Sequence, residues 1–486
     1  MRDTAEQHPE QASAEARAAS ASEQLAQFAA RTTFGQLPEA VREKVALHVL
    51  DTLGVALAAC PEQFARKAMA ALEPVAGRGR ASVLGHARRW PAAWAALYNG
   101  MLAHGLDYDD THAEAVLHVS TTVVPAALAV AEERELAGSD FLAAVAVGME
   151  VNARIGLAAP GAFHDRGFHP TGICGAYAAS VAASKAFGLD ARAMADALGI
   201  AGSQAAGTLE FLGDGSWSKR LHAGWAAHAG VLAARLGSAG FLGPRATFEG
   251  RFGLYRTHLG DRGWDVGVLT DGLGTRWRLL EVSLKPYPAC HMVHAFIDAA
   301  RVLRERPGFA LDRIAAIEAD IHPRAVPVVC EPLANKWMPR TDYEAKFSLP
   351  YTVAAMLVRG HVNVDDFTPA AISDEAVLAV ARLVRYRQDE TSRYPRYFDG
   401  TLRIRFRDGS VWEHRQAINR GHPELPLTRD EVLDKFRHNV CRVATDAAAK
   451  QLEVEVTTLP TRPSLGRLRS ALLAAAKNAR PGGPSR

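Results

Sequence analysis

The chain has 486 residues, too many for one ordinary core, so two domains are expected. It is 48% hydrophobic and 22% charged, which reads as soluble and globular, and 56 basic against 53 acidic residues leave a net charge of +3, with no electrostatic reason to expect nucleic acid. The five cysteines (Cys60, Cys174, Cys290, Cys330 and Cys441) form no C-x-x-C pair and suit reduced thiols better than a disulfide frame, and no stretch of about 20 uninterrupted apolar residues asks for a membrane.

Residues 1–22 are rich in Ala, Glu and Gln and read as a loose tail. They lack the basic start and apolar run of a signal peptide, so a cytoplasmic location is expected. From Leu37 to about Gly243 the pattern is helical, and residues 23–275 read as an all-α domain. Pro38 can open a helix at no hydrogen-bond cost, and Val41, Val45, Val49, Leu53 and Leu57 then repeat on one face. Residues 174–187 are nearly all small, which predicts a helix buried on most sides. Gly188 reads as its stop and Asp190 as the next N-cap.

Residues 276–420 read as a smaller α+β domain. Ala315, Ile317, Ala319 and Ile321 alternate with Ala316, Glu318, Asp320 and His322, a period of two. Leu402, Ile404 and Phe406 do the same with three arginines, and Asp408-Gly409 then signals a hairpin. Thr428 with Glu431 forms a capping box for a late helix, so residues 421–459 read as a segment returning to the first domain. Residues 460–486 mix Pro, Arg, Gly and Ala and read as a flexible tail.

Four clusters carry candidate chemistry. His104-Gly-Leu-Asp107-Tyr-Asp109-Asp110-Thr111-His112, followed by His118, sets three carboxylates close together. They need cations, hydrogen bonds or a raised pKa on one of them; a solvated helix end is the plain alternative. Gly167-Phe168-His169-Pro170-Thr171-Gly172 places a histidine in a turn before a helix, as acid, base or anion contact, or as a structural bond to the turn. Lys219, Arg220 and His222 gather positive charge suited to a carboxylate, or form a charged loop before a helix starting near Ala223. Lys285-Pro-Tyr287-Pro-Ala-Cys290-His291-Met-Val-His294 has one cysteine and no second ligand pair at zinc spacing, so no metal is expected.

Taken in order, these blocks and Glu344-Ala-Lys-Phe-Ser-Leu-Pro350 resemble the MmgE/PrpD family, which includes 2-methylcitrate dehydratase, cis-aconitate decarboxylase and an iminodisuccinate epimerase. The resemblance implies a mainly α fold: a large all-α helical domain plus a smaller α+β lid domain, with the C-terminal segment returning to the first. It further implies a homodimer, a site between the domains, no cofactor, and a small di- or tricarboxylate substrate that loses water or carbon dioxide or is epimerised beside a carboxylate. Asp107, His118, His169 and Lys219 match the family's catalytic positions, although Val119 stands where many relatives have Pro. Thr111, Arg220, His222, Lys285 and Cys290 are expected to bind substrate. Cys290 falls where the decarboxylase branch has His, and that branch's Tyr has no clear match in residues 325–337. Both departures favour a hydro-lyase of the 2-methylcitrate dehydratase type. Outside the family, Asp109, Asp110 and Glu114 faintly resemble the aspartate-rich motif of magnesium-dependent terpenoid synthases, without a second metal motif. A helical scaffold that binds polycarboxylates without turnover is the non-enzymatic alternative.

Overall fold

The computed structural model describes residues 19–261 and 263–477. Two hydrophobic cores organise it. The larger one holds helices from Ala21–Arg31 to Ser218–Ser238 and is completed by helices Arg429–Cys441, Asp446–Thr457 and Gly466–Lys477. The smaller lies under a four-stranded sheet and helices His294–Arg304 and Leu349–Arg359. The architecture is therefore a large all-α domain with a smaller α+β domain.

The small-residue helix Pro170–Phe187 is buried almost throughout, packed against helices Ser218–Ser238, Gly138–Leu157 and Ser120–Arg134. Small side chains make this approach possible. Where helices Ala92–His104 and Ser218–Ser238 cross, a Cβ at Gly224 would lie 2.3 Å from the Leu97 carbonyl oxygen. That crossing brings the end of one helix, His104, beside the start of the other, Lys219. Asp190 caps helix Ala191–Gly202 by accepting from the Ala193 N–H at 2.8 Å.

Two strand pairs are short: β1 (Ala81–Ser82) with β2 (Arg89–Trp90), and β3 (Thr111–His112) with β4 (Val282–Ser283). In the α+β domain, β5 (Ile314–Ile321) lies between β6 (Val384–Gln388), which is parallel to it, and β7 (Gly400–Phe406), which is antiparallel; β8 (Val411–Gln416) pairs with β7. Ile317, Ala319 and Ile321 face the core, and Gly409 at φ +86° makes the β7–β8 turn. The Thr428–Glu431 capping box opens helix Arg429–Cys441, which packs on helix Glu39–Ala59 of the first domain.

Three expected boundaries shift. Residues 1–18 and 478–486 of the two proposed tails lie outside the described residues. Ser20 and Glu23 form a capping box, so helix Ala21–Arg31 begins inside the stretch read as tail. Residues 460–477 are not a loose tail: Leu465, Leu468 and Leu472 lie on one face and seal helix Gly466–Lys477 onto helix Asp446–Thr457. Finally, Leu279, Val282 and Leu284 belong to the helical core, so the domain change falls at Lys285–Pro286 rather than at 276. Among the described residues no single helix is long and apolar enough to cross a membrane.

Candidate active site

The pairing of β3 with β4 decides where the chemistry sits. It lays the chain after His104 against the chain leading to Lys285, at the junction of the two cores. A cleft of about 630 Å³ opens there. Asp107, Thr111, His118, His169, Lys219, Lys285 and Cys290, far apart in sequence, all line it.

Asp107 is buried and takes φ +54°, a left-handed conformation that aspartate tolerates better than most residues. Its Oδ1 lies 2.7 Å from Lys219 Nζ and 3.3 Å from Lys285 Nζ. Lys285 also donates to the Asp107 carbonyl at 2.8 Å. Burial would raise the Asp107 pKa, but the two ammonium groups outweigh it and hold the carboxyl well below its ordinary range. Asp107 is thus a fixed negative charge between two lysines, which leaves one positive charge over for an anionic group in the cleft.

The other two carboxylates have partners of their own. Asp109 Oδ2 accepts a hydrogen bond from His104 Nδ1 at 2.8 Å and lies 3.0 Å from His118 Nδ1. Asp110 accepts from the backbone N–H groups of Val119 and Ser120 and bonds His48 Nδ1 at 2.6 Å. Against the burial that would raise them, these partners lower both carboxyl pKa values. The crowded aspartates are therefore accommodated by separate cations and donors, with no proton trapped among the three. Asp109 and Asp110 turn to different partners and neither lines the cleft, an arrangement unlike a shared magnesium motif.

His118 has its Nδ1 beside Asp109 and its Nε2 3.7 Å from Asp107 Oδ1, on the cleft side. This orients the ring as an acid–base group in the manner of a carboxylate-fixed histidine. His169 occupies the N-cap position of helix Pro170–Phe187 without a side-chain bond to the helix, and Pro170 takes the first helical position. Its ring centroid is 6.4 Å from that of His118, and its Nδ1 is 3.1 Å from His222 Nδ1. Burial first, then the neighbouring His104 and Lys219, push the His169 pKa well below its ordinary value, so the ring is neutral at pH 7. Burial and Lys219 likewise lower His222, to about 4.

Two expected substrate contacts fall elsewhere. Helix Ser218–Ser238 starts at Ser218, not near Ala223, so Lys219 and Arg220 lie on different sides of its first turn. Lys219 enters the cleft. Arg220 points away from it, stacks over Phe64 and Tyr343, donates to the Gly105 carbonyl at 2.9 Å and pairs with Asp342 at 2.9 Å. His222 stands behind His169 and does not line the cleft.

The other wall is mostly apolar: Leu209, Phe211, Leu212, Met292, Val328 and Phe347. His291, weighed in the sequence only as a metal ligand and not among the expected substrate contacts, also lines the cleft. Asn419 Nδ2 lies 2.6 Å from its Nε2 and Thr111 Oγ1 2.5 Å from its Nδ1. With the amide donating, the ring proton sits on Nδ1 and Thr111 accepts it, leaving the threonine hydroxyl hydrogen for a substrate oxygen. Cys290 is buried, and burial first, then Asp107, push its thiol pKa up, so it presents a neutral group. His104, Asp109 and His118 bring three donor atoms within 4.8 Å of one another, the one set that could hold a metal ion among the described residues. Their separations of 2.8 and 3.0 Å from a single carboxylate oxygen are those of hydrogen-bonded and ionic contacts.

An all-α domain, a smaller α+β domain and a lysine–aspartate–histidine cleft at their junction define the class. The chain belongs to the MmgE/PrpD family: residues 23–267 match the MmgE/PrpD N-terminal domain and residues 287–460 the MmgE/PrpD C-terminal domain. It is similar to the cis-aconitate decarboxylase-like protein oryM of Aspergillus oryzae, 28% identical over 449 residues that cover 89% of this chain and 93% of that protein. It is also similar to the cis-aconitate decarboxylase of Aspergillus terreus, 27% identical over 458 residues (88% and 91%), and to that of Homo sapiens, 28% identical over 422 residues (84% and 85%). The chain is accordingly an enzyme of the lyase type.

Proposed function

We propose that the cleft binds a small tricarboxylate of the cis-aconitate type and removes one carboxylate as carbon dioxide, with side chains alone moving the proton. The observation that carries this reading is a cleft that combines charge with apolar surface: Lys219 and Lys285, only partly neutralised by Asp107, share it with Phe211, Leu212, Val328 and Phe347, the last with its ring centroid 5.2 Å from the Lys219 ammonium. The lysines anchor the carboxylates that stay. A carboxylate turned toward the apolar wall loses solvation, which favours its departure as a neutral gas. As the bond to the departing carboxylate breaks, its electron pair forms a new double bond to the nearer alkene carbon, the original π pair shifts to the farther alkene carbon, and His118, or Lys219 beside it, delivers a proton to that farther carbon. The names of the relatives agree with this reading.

Dehydration of a hydroxylated acid such as 2-methylcitrate is the second reading, and Cys290 favours it, standing where the decarboxylase branch has His. Here His169, neutral and buried, would take the proton beside a carboxylate while His118 meets the leaving hydroxyl. Proton NMR in deuterated water, with purified enzyme and a panel of citrate, 2-methylcitrate, cis-aconitate and tartrate-like acids, separates the two. Consumption of cis-aconitate with release of carbon dioxide supports decarboxylation. A new alkene signal from a hydroxy acid replaces it with dehydration, and inversion or exchange alone replaces both with epimerisation.

We also infer a homodimer. Leu221, Trp225 and Leu232 lie on one exposed face of helix Ser218–Ser238, an apolar stripe suited to a second copy. Light scattering of the wild type against Trp225→Arg tests this; equal monomeric masses would refute it.

A further inference from the structure

Two buried lysines outside the proposed chemistry approach the cleft from behind. Lys346, at the end of helix Asp342–Lys346, donates to the carbonyls of Leu106 at 2.8 Å and Pro288 at 3.1 Å. Lys435, in helix Arg429–Cys441, donates to the carbonyls of Tyr108 at 3.0 Å and Lys285 at 2.8 Å, and pairs with Asp51 at 2.7 Å. Each ammonium thus ties one carbonyl of the 106–108 loop to one carbonyl of the 285–288 segment. The Tyr108 hydroxyl adds a third tie, donating to the Pro286 carbonyl at 3.1 Å.

The two lysine ties flank the functional pair. Asp107 sits between the carbonyls of residues 106 and 108, with its left-handed φ of +54°. Lys285 supplies one tied carbonyl from its own backbone, while its side chain holds the Asp107 carbonyl and carboxylate. These ties come from elements far apart in the chain. Lys346 belongs to the α+β domain and Lys435 to the helix that returns to the first domain.

A buried ammonium is a costly way to satisfy two carbonyls, since a neutral donor would do so without a desolvated charge. Among the described residues Lys346 in particular hydrogen-bonds carbonyls, lies 4.5 Å over the Phe367 ring, and feels the charges of Asp342 and Glu62 without a hydrogen bond to either. What an ammonium adds is three strong, divergent donors on one atom, able to clamp two strands of backbone at a fixed separation.

We propose that Lys346 and Lys435 are positioning residues: they fix the loop carrying Asp107 against the segment carrying Lys285, and so set the geometry of the ion pair that receives the substrate. Because Lys346 is part of the α+β domain, the pair is correctly formed only when that domain is seated on the helical one. The proposal rests on the functional reading above for its catalytic consequence, and on the backbone ties alone for its structural one.

The test uses full-length protein, Lys346→Met, and the paired substitution Asp51→Asn with Lys435→Met, which removes both charges so that neither is stranded. Hydrogen exchange is followed by mass spectrometry in peptides covering residues 105–112 and 284–290. Both variants should exchange faster there, with the helix at 170–187 unchanged. Turnover of the acid found in the panel should fall roughly 10- to 100-fold, the scale of a misplacement near 1 Å, while KM moves little. In a Lys285→Ala background the loss caused by Lys346→Met should shrink, because the group it positions is gone. Unchanged exchange in both segments overturns the proposal whether or not any acid is turned over, and so does faster exchange with undiminished turnover. Failure of the wild type to act on any acid refutes the functional reading instead, and leaves exchange to decide the ties.

Discussion

Replacing Asp107 by Asn removes the negative charge between Lys219 and Lys285 without changing the size of the side chain. In the wild type that charge lies 2.7 Å from one ammonium and 3.3 Å from the other, with all three groups buried. Breaking a buried pair by removing one partner strands the other, which costs about 3–5 kcal/mol. Asp107→Asn should therefore lower the unfolding free energy by about that amount at pH 7, measured from urea midpoints. The sign with pH follows from the lowered carboxyl pKa. The stabilisation is complete above the ordinary value of 3.8 and is lost as pH falls from there toward the folded-state value. The difference between wild type and variant should thus be constant from pH 7 down to about pH 4 and shrink below it. Affinity for a non-reacting tricarboxylate should not weaken, since the wall gains net positive charge, while turnover falls as the lysines lose their anchor. Equal urea midpoints at pH 7 would refute the reasoning, because they would mean that the aspartate is not held there as an ion.

Three further substitutions probe separate parts of the argument. His118→Gln should reduce turnover about 10²- to 10⁴-fold with little change in thermal midpoint; retention of turnover would remove His118 from proton transfer. Arg220→Met should destabilise the protein by about 2–3 kcal/mol through lost bonds to Gly105 and Asp342, yet leave KM unchanged; a raised KM would restore Arg220 to substrate binding. Gly421→Ala should lower the thermal midpoint markedly, because Gly421 sits at φ +87° and an added Cβ would meet the Leu284 carbonyl oxygen at 1.8 Å, directly before Lys285; an unchanged midpoint would refute that contact.

Much of the cleft was legible in the chain because its ligating groups fall in compact blocks. Asp107, His118, His169, Lys219 and Lys285 each carry their chemistry in the side-chain type, and each reaches the cleft. What the chain does not display is direction. Lys219 and Arg220 are neighbours of like charge, yet a rotation of about 100° per residue along the helix sends one into the cleft and the other onto Phe64. Lys435 lies in a polar, capped helix, RDEVLDKFRHNVC, where a lysine reads as solvated surface; only the fold brings Tyr108 and Lys285 to it. The helix at 466–477 was obscured by surrounding Pro, Arg and Gly, although Leu468 and Leu472 carry its buried face. The boundary at 276 followed the loss of helical pattern, whereas packing places the change at residue 285, where the core behind the chain changes.

The division of the cleft between the domains explains why its residues say more about reaction type than about substrate. Asp107, His118, His169 and Lys219 come from the helical domain, with Lys285 at the junction. The α+β domain contributes Cys290, His291, Met292, Val328 and Phe347. Both nitrogens of His291 are engaged and the Cys290 thiol is neutral, so this side supplies shape and polarity rather than a proton-transfer group. On the proposed reading, exchange of a residue on that side changes which part of the substrate is desolvated, while the lysine pair and the imidazoles stay in place. On the proposed reading, one helical scaffold supports loss of carbon dioxide or loss of water according to which group the apolar wall receives. Cys290, beside Lys285 and facing the same cleft, is the position where that choice meets the charged wall.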